Sequence, residues 1–190
     1  VDAQSSKASP QPLSSQHTQS LARAIMNDKQ AAEFERSREC NFAIAPAGIG
    51  RFRVNCFLQM GKVGIVMRTI PGQIPTIDGL GLPLVLKNVA LAKRGICILV
   101  GGTGSGKSTT LAAMVDWRNE NTHEHIVTVE DPIEFVHQHK NCIITQREVG
   151  LDTDSWDNAL KNSLRQAPNV ILMGEIRDRE TMEHAIAFAE

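Results

Sequence analysis

A chain of 190 residues with 20 basic and 21 acidic side chains carries a formal charge of −1, which leaves no basic excess for a broad nucleic-acid footprint. Its 42% hydrophobic and 4% aromatic content suits a packed core of aliphatic side chains, and no apolar run approaches the roughly 20 residues that span a bilayer. Cys40, Cys56, Cys97 and Cys142 lie far apart with no C-x-x-C pair, so they carry no zinc or redox signature and fit a reducing compartment.

The first 14 residues are rich in Ser, Gln, Ala and Pro and read as a polar tail or linker without a signal peptide's apolar stretch. A helix is expected from Ser15 to Asp28, with Leu21, Ala24 and Ile25, and a second from Lys29 to Arg38, with Ala32 and Phe34. The period then becomes two. Phe52, Val54, Cys56, Leu58 and Met60 alternate with Arg51, Arg53, Asn55 and Gln59, the pattern of a half-buried strand. Gly61-Lys62 marks a turn, Lys62 to Thr69 a returning strand and Asn41 to Ala45 a third. Residues 15–70 therefore form a small α+β unit. Arg51 and Arg53 share one face of its middle strand, with Arg68 on the next.

Pro71 to Pro83 is rich in Pro and Gly, the composition of a linker between two bodies. Beyond it strands and helices alternate: helix from Leu84 to Lys93, buried strand from Ile96 to Val100, helix from Ser108 to Asn119, strands from Ile126 to Glu130 and Cys142 to Gln146. A helix from Asp154 to Gln166 stacks Trp156, Leu160 and Leu164, a strand runs from Val170 to Met173, and Thr181 to Glu190 places Met182, Ala185, Ile186 and Ala189 on one helical face. This alternation predicts an α/β fold with a mostly parallel sheet covered on both faces. The start at Val1 and the uncapped last helix read as the ends of a piece cut from a longer chain.

The strongest chemical signal is Gly101-Gly102-Thr103-Gly104-Ser105-Gly106-Lys107-Ser108, a complete G-x-x-x-x-G-K-[ST] between a predicted strand and a predicted helix. Glycines let the backbone turn several N–H groups toward one anion, and a helix N-terminus favours phosphate. Lys107 is expected at the β- and γ-phosphates of ATP, and the Ser108 hydroxyl on Mg2+. Val170 to Met173 followed by Gly174-Glu175 delivers a carboxylate to the carboxyl edge of the sheet, where open α/β sheets bind ligands. With Gly174 where a magnesium-side Asp is usual, Glu175 acts on the metal alone or through a water. Glu130, Asp131 and Glu134 reach the same edge, with Pro132 stiffening the turn. Clustered carboxylates repel, and a magnesium ion with an attacking water accounts for them economically. His123/His125 and His137/His139 are each spaced i, i+2, but a zinc site needs three or four converging ligands, which this spacing does not supply.

Gly50-Arg51-Phe52-Arg53-Val54-Asn55, Arg68-Thr69-Ile70-Pro71, the phosphate loop with Thr109-Thr110-Leu111-Ala112-Ala113-Met114, Glu130-Asp131-Pro132-Ile133-Glu134-Phe135, Gln146-Arg147-Glu148-Val149 and Gly174-Glu175-Ile176-Arg177-Asp178 resemble the type IV pilus retraction ATPases of the secretion ATPase superfamily. Glu39-Cys40-Asn41-Phe42-Ala43-Ile44 and the Gly-Gly opening of the loop are more similar to the PilU branch than to the PilT branch. The resemblance implies a partial PAS-like domain over 15–70, a RecA-like P-loop ATPase domain over 84–190 truncated at its C-terminus, and ATP bound at their junction. It further implies a homo-hexamer at the cytoplasmic side of the inner membrane, acting on a pilus platform protein and beside a paralogous retraction ATPase, with no nucleic-acid partner and no membrane insertion. Glu134 would polarise the attacking water, and Glu175 would be the Walker B acid. Thr109 closes the loop on the helix side, and Arg51, Arg53 and Arg68 match basic positions that approach phosphate. The alternatives are an assembly or type II secretion ATPase, and an accessory ring subunit that binds ATP with weak turnover. A DNA motor is disfavoured by the neutral charge.

Overall fold

The computed structural model describes residues 6–189, which divide after Ile70 into two compact units. Residues 1–5 of the expected tail and Glu190 of the last helix lie outside the described residues, and 6–14 are exposed without helix or strand.

In the first unit, helix α1 (Ser15–Ile25) starts where the Ser14 hydroxyl accepts the His17 N–H at 3.2 Å. It stops short of the expected Asp28 because Asn27 opens a new helix, α2 (Asp28–Ser37). The Asn27 side chain accepts the Gln30 N–H while Gln30 accepts the Asn27 N–H, both at 2.9 Å. Strands β1 (Glu39–Ile44), β2 (Arg51–Gln59) and β3 (Lys62–Ile70) form an antiparallel meander in that order. The hairpin turns on Met60-Gly61, with φ of 51° and 73°, one residue before the expected Gly61-Lys62. Met60 accordingly leaves the strand's apolar alternation and is 92% exposed. The alternation holds at the centre of β2, where Val54 and Cys56 are buried with Cys40 and Phe42 against Ala22, Met26 and Ala31, while Phe52 and Leu58 toward its ends are half-buried. Gly64 is required where it stands, since a Cβ there would lie 2.7 Å from the ring of Phe57 across the hairpin. Arg53 pairs directly with Arg68, and Arg51 lies two residues along on the same face of β2.

The second unit contains α3 (Val85–Ala90), α4 (Lys107–Asn121), β4 (His125–Glu130), β5 (Ile143–Glu148), α5 (Trp156–Leu164), β6 (Val170–Met173) and α6 (Arg179–Ala189). The three strands are parallel in the order β5-β4-β6. In the central strand Ile126, Val127, Thr128 and Val129 are fully buried. Val115 of α4 packs with Ile126 on one face, and Ala159 and Leu160 of α5 pack with Val129 on the other, the two-sided cover the sequence predicts. Buried Arg118 fixes α4 to its surroundings: its guanidinium donates to Glu124 at 2.6 and 3.1 Å and to the carbonyls of Ala90 and Ala92 at 2.7 Å each. That pairing holds the Glu124 carboxyl below its ordinary pKa. Asn119, also buried, bonds Gln138, Lys140 and Cys142 and ties the 138–142 segment to the same helix.

Two expectations are corrected here. Residues 71–83 are not a free linker along their whole length, because Ile77 is buried with Ala90, Ala113 and Met114 and Leu82 packs beside it. Lys87 adds an ion pair to Asp78 at 2.7 Å. Ile96 to Val100 is not a buried strand: among the described residues the segment joins no sheet, and Ile98 and Val100 are 49% and 90% exposed. Apolar composition alone cannot supply the backbone partners that a strand needs, and among the described residues β6 pairs only with β4.

Because Leu160 fills the space beneath β4 with no exposed surface, Leu160→Ala should lower unfolding free energy by about 2–5 kcal/mol, measurable by urea denaturation. A loss below about 1 kcal/mol would mean that α5 does not seal that face.

Candidate nucleotide site

The phosphate-loop motif lies between the 96–100 segment and α4. Gly106 caps the helix at φ 90° and Gly104 stands at φ 77°, left-handed conformations that cost other residues roughly 1–2 kcal/mol. The first backbone bond of the helix runs from the Thr110 N–H to the Gly106 carbonyl at 2.8 Å. By helix geometry the N–H groups of Lys107, Ser108 and Thr109 then have no carbonyl a turn behind them and remain available to an anion. No acidic residue occupies this first turn. The Lys107 ammonium folds back over the loop and donates to the carbonyls of Gly101 and Gly102 at 2.8 and 2.9 Å. Thr103 and Ser105 sit on the exposed outer curve.

A cleft of about 810 Å³ opens between the 92–101 segment and β6, and Gly101, Lys107, Ser108, Gly174 and Glu175 all line it. The predicted lysine, hydroxyl and strand-end carboxylate therefore meet at one cavity. Ser108 and Glu175 offer hydroxyl and carboxylate oxygens, the hard donors that suit magnesium.

The other acids leave the adjacent strand. Gly174 donates its N–H to the Val129 carbonyl at 2.8 Å, and a Cβ on Gly174 would lie 3.3 Å from the Cα of Glu130. Glycine at 174 thus lets the two strand ends run close together. The Glu130 carboxylate accepts from the Thr128 hydroxyl at 2.6 Å and the Gln146 amide at 3.2 Å. Burial pushes its pKa up, against those hydrogen bonds and a backbone bond from Glu134, with the Glu134 charge adding to the rise. Glu134 itself is exposed beside it. Asp131 and Glu175 are both paired with Arg177, the former at 3.0 Å.

The loop carrying Glu134 is fastened to β5. The Glu148 carboxylate accepts the Ile133 N–H at 3.1 Å, and Gln146 accepts the His137 N–H at 2.8 Å while donating to the Phe135 carbonyl at 2.9 Å. Sequence reasoning quotes Gln146 and Glu148 only as part of a motif. The expected strand ends at Gln146, whereas β5 runs on to Glu148, and only that extension puts the two residues, spaced i, i+2, on one face. Arg177 was missed as a site residue, though it stands two positions after Glu175.

Arg51, Arg53 and Arg68 belong to the first unit. The paired histidines form no metal cluster among the described residues: His125 bonds Gln166 and Thr145, and His139 accepts the Ile144 N–H. One group with convergent ligand atoms, Asp157, Glu180 and His184, lies on α5 and α6, and Asp157 within it is already paired with Lys161 at 2.7 Å.

Comparison with known proteins gives concordant results. The family model described as Type II/IV secretion system protein matches residues 38–190. The chain is 58% identical over 179 residues to the type IV pilus ATPase PilU of Pseudomonas aeruginosa, covering 94% of this chain and 47% of that protein. It is 48% identical to the retraction ATPase PilT of the same organism, covering 94% of this chain and 52% of that protein. The crystal structure of the pilus retraction motor PilT with bound ADP superposes with a TM-score of 0.88 at 45% identity, over 90% of this chain and 50% of that one. The chain thus spans about half the length of the curated relatives it matches.

Burial pushes the His137 imidazole down to about 4, with Lys140 lowering it further and Asp116 opposing. The folded chain therefore binds fewer protons at this ring than the unfolded chain between that value and the ordinary 6.5. Stability from His137 should be complete above pH 6.5 and fall as pH drops toward 4. Urea unfolding of His137→Asn should show a shallower pH slope across that window; an unchanged slope would place the acid sensitivity elsewhere.

Proposed function

We propose, because the chain belongs to the type II/IV secretion system protein family, that the complete protein is an ATP-hydrolysing motor of the type IV pilus machinery that drives pilus retraction and twitching motility. The observation that carries this reading is the single cleft lined by Lys107, Ser108 and Glu175, with the Glu134 loop fastened at the neighbouring strand end.

The N–H groups at the start of α4 and the Lys107 ammonium bind the β- and γ-phosphates, the ammonium exchanging its two loop carbonyls for phosphate oxygens. Ser108 and Glu175 would hold a magnesium ion, which neutralises charge developing on the phosphates. Glu134, exposed at the strand end, orients the attacking water and accepts its proton, while half-buried Glu130 beside it is held by Thr128 and Gln146. In a homo-hexamer, Arg51, Arg53 and Arg68 supply positive charge toward phosphate, as the arrangement of Arg53 opposite Arg68 on one sheet face permits. Nucleotide binding and release move the two units relative to each other about residues 71–76, ahead of the anchored Ile77. The ring transmits that motion to a platform protein at the inner membrane. Among the described residues no helix is long and apolar enough to cross a membrane, so membrane association in this reading comes through that partner.

Lys107→Ala and Glu134→Ala in the complete protein should each lower steady-state ATP turnover by about 10²-fold. Turnover at the unsubstituted rate would remove that residue from the mechanism. Replacing Arg53 and Arg68 together by Ala should lower turnover while leaving ADP affinity of the isolated subunit within about threefold, read by fluorescent-nucleotide titration.

A further inference from the structure

Arg177 and Arg118 are two arginines with opposite surroundings. Arg118 is 5% exposed and bonds two backbone carbonyls and Glu124, so it serves the core. The Arg177 side chain is 53% exposed, and both its ion pairs go to acids at the sheet's carboxyl edge. One guanidinium nitrogen, Nη2, reaches Asp131 Oδ2 at 3.0 Å and also Glu175 Oε1.

The topology explains why a cation is wanted there. β4 and β6 are parallel neighbours whose last registered pair is Val129 and Met173. The Gly174 N–H continues that pairing onto the Val129 carbonyl, and Gly174 lets the Glu130 backbone press close. Asp131 and Glu175 therefore leave the sheet side by side, and two carboxylates so placed repel. Asp131 begins the loop that carries Glu134, and Glu175 lines the cleft with Lys107 and Ser108.

We infer that Arg177 is a positioning residue for the nucleotide reaction, bridging Asp131 and Glu175 so that the Glu134 loop and the cleft carboxylate keep a fixed relation across the ends of β4 and β6. This rests on the nucleotide-site reading. Arg177 works through the two acids. Phosphate binding, which depends on Lys107 and the start of α4, is independent of it. The guanidinium and Glu175 are exposed and Asp131 is half-buried, so loss of the bridge disturbs aim more than folding.

The test compares Arg177→Gln, Arg177→Lys and Lys107→Ala in the complete protein, with kcat and KM for ATP, nucleotide affinity and melting temperature measured for each. Arg177→Gln should lower kcat about 10-fold or more while KM changes by less than about threefold and the melting midpoint by only about 1–2 °C. Arg177→Lys, which keeps a charge within reach of both acids, should recover part of the loss. Unchanged kcat in Arg177→Gln, a rise in KM that matches the fall in kcat, or no recovery with Lys would each overturn the inference. Should Arg177→Gln fail to fold, Asp131→Asn breaks one arm of the bridge and should lower kcat in the same direction; unchanged kcat there overturns it equally. Lys107→Ala separates the two readings: if it retains full nucleotide affinity, the site assignment itself fails, whereas lost affinity beside an unaffected Arg177→Gln defeats Arg177 alone.

Discussion

The arrangement of the second unit depends on the complete burial of β4 between two parallel partners. A strand paired along both edges and covered on both faces has no freedom of register, since a one-residue slip would turn Ile126 and Thr128 out of their layer and Val127 and Val129 into the wrong one. Parallel pairing also fixes where every strand ends. The carboxyl ends of β4, β5 and β6 emerge at one edge, and Glu130, Glu148 and Gly174 emerge with them. A site built there inherits its geometry from aliphatic packing well below it.

That edge gathers more negative charge than solvent alone would hold in place, and the structure treats each acid differently. Glu130 is half-buried, and desolvation holds its proton more tightly than usual against the opposing hydrogen bonds from Thr128 and Gln146. Glu148 is buried, yet it spends a carboxylate oxygen on the Ile133 N–H. Asp131 and Glu175 share Arg177, and Glu134 remains in solvent. Environment therefore separates five chemically similar groups: partial burial for Glu130, a tether to the Ile133 N–H for Glu148, ion pairing for Asp131 and Glu175, and accessibility for Glu134. The division bears on the reaction proposed above, since a group that takes a proton from water has to be reachable, whereas a group that fixes a loop must be neither displaced by water nor repelled by its neighbours.

Most elements were legible because their apolar period is unambiguous. β6 occurs over the expected Val170–Met173, and α5 places Leu160 in the core as its i, i+4 spacing with Trp156 requires. The Walker motif was legible for a different reason, since its glycines at 104 and 106 are needed for backbone conformations and not for packing. The less legible features depend on partners remote in sequence. The two expected helices are both present, but their boundary is displaced: the exchange between Asn27 and Gln30 opens α2 at Asp28 and leaves α1 to end at Ile25. Ile77 looks like one apolar residue in a Pro/Gly-rich linker, and its burial against Ala113 and Met114 depends on a helix some 35 positions away. Gln146 bonds both Glu130 and Phe135, and Arg177 bonds Asp131; neither contact leaves a pattern in the residues around it.

The 96–100 segment separates two properties that a strand-loop-helix motif appears to join. Its apolar run predicts a strand, and a strand ahead of the loop is the usual reason for supposing that the loop is held in shape. Here the run joins no sheet among the described residues, yet the loop has ordered internal contacts. The Ser105 N–H donates to the Gly102 carbonyl at 3.3 Å, and the Lys107 ammonium bridges the carbonyls of Gly101 and Gly102. Gly101 approaches Ser105 so closely that a Cβ there would lie 2.7 Å from its hydroxyl oxygen. On the far side, the Thr110 N–H bond to Gly106 anchors the loop to a helix whose next residues, Ala112 to Asp116, are buried. The curvature of the anion cradle is thus specified from α4 backward, by glycine conformation and the loop's own hydrogen bonds. The segment before it sets the wall of the cleft, while the position of the N–H groups at the start of α4 follows from the packing of α4 against β4.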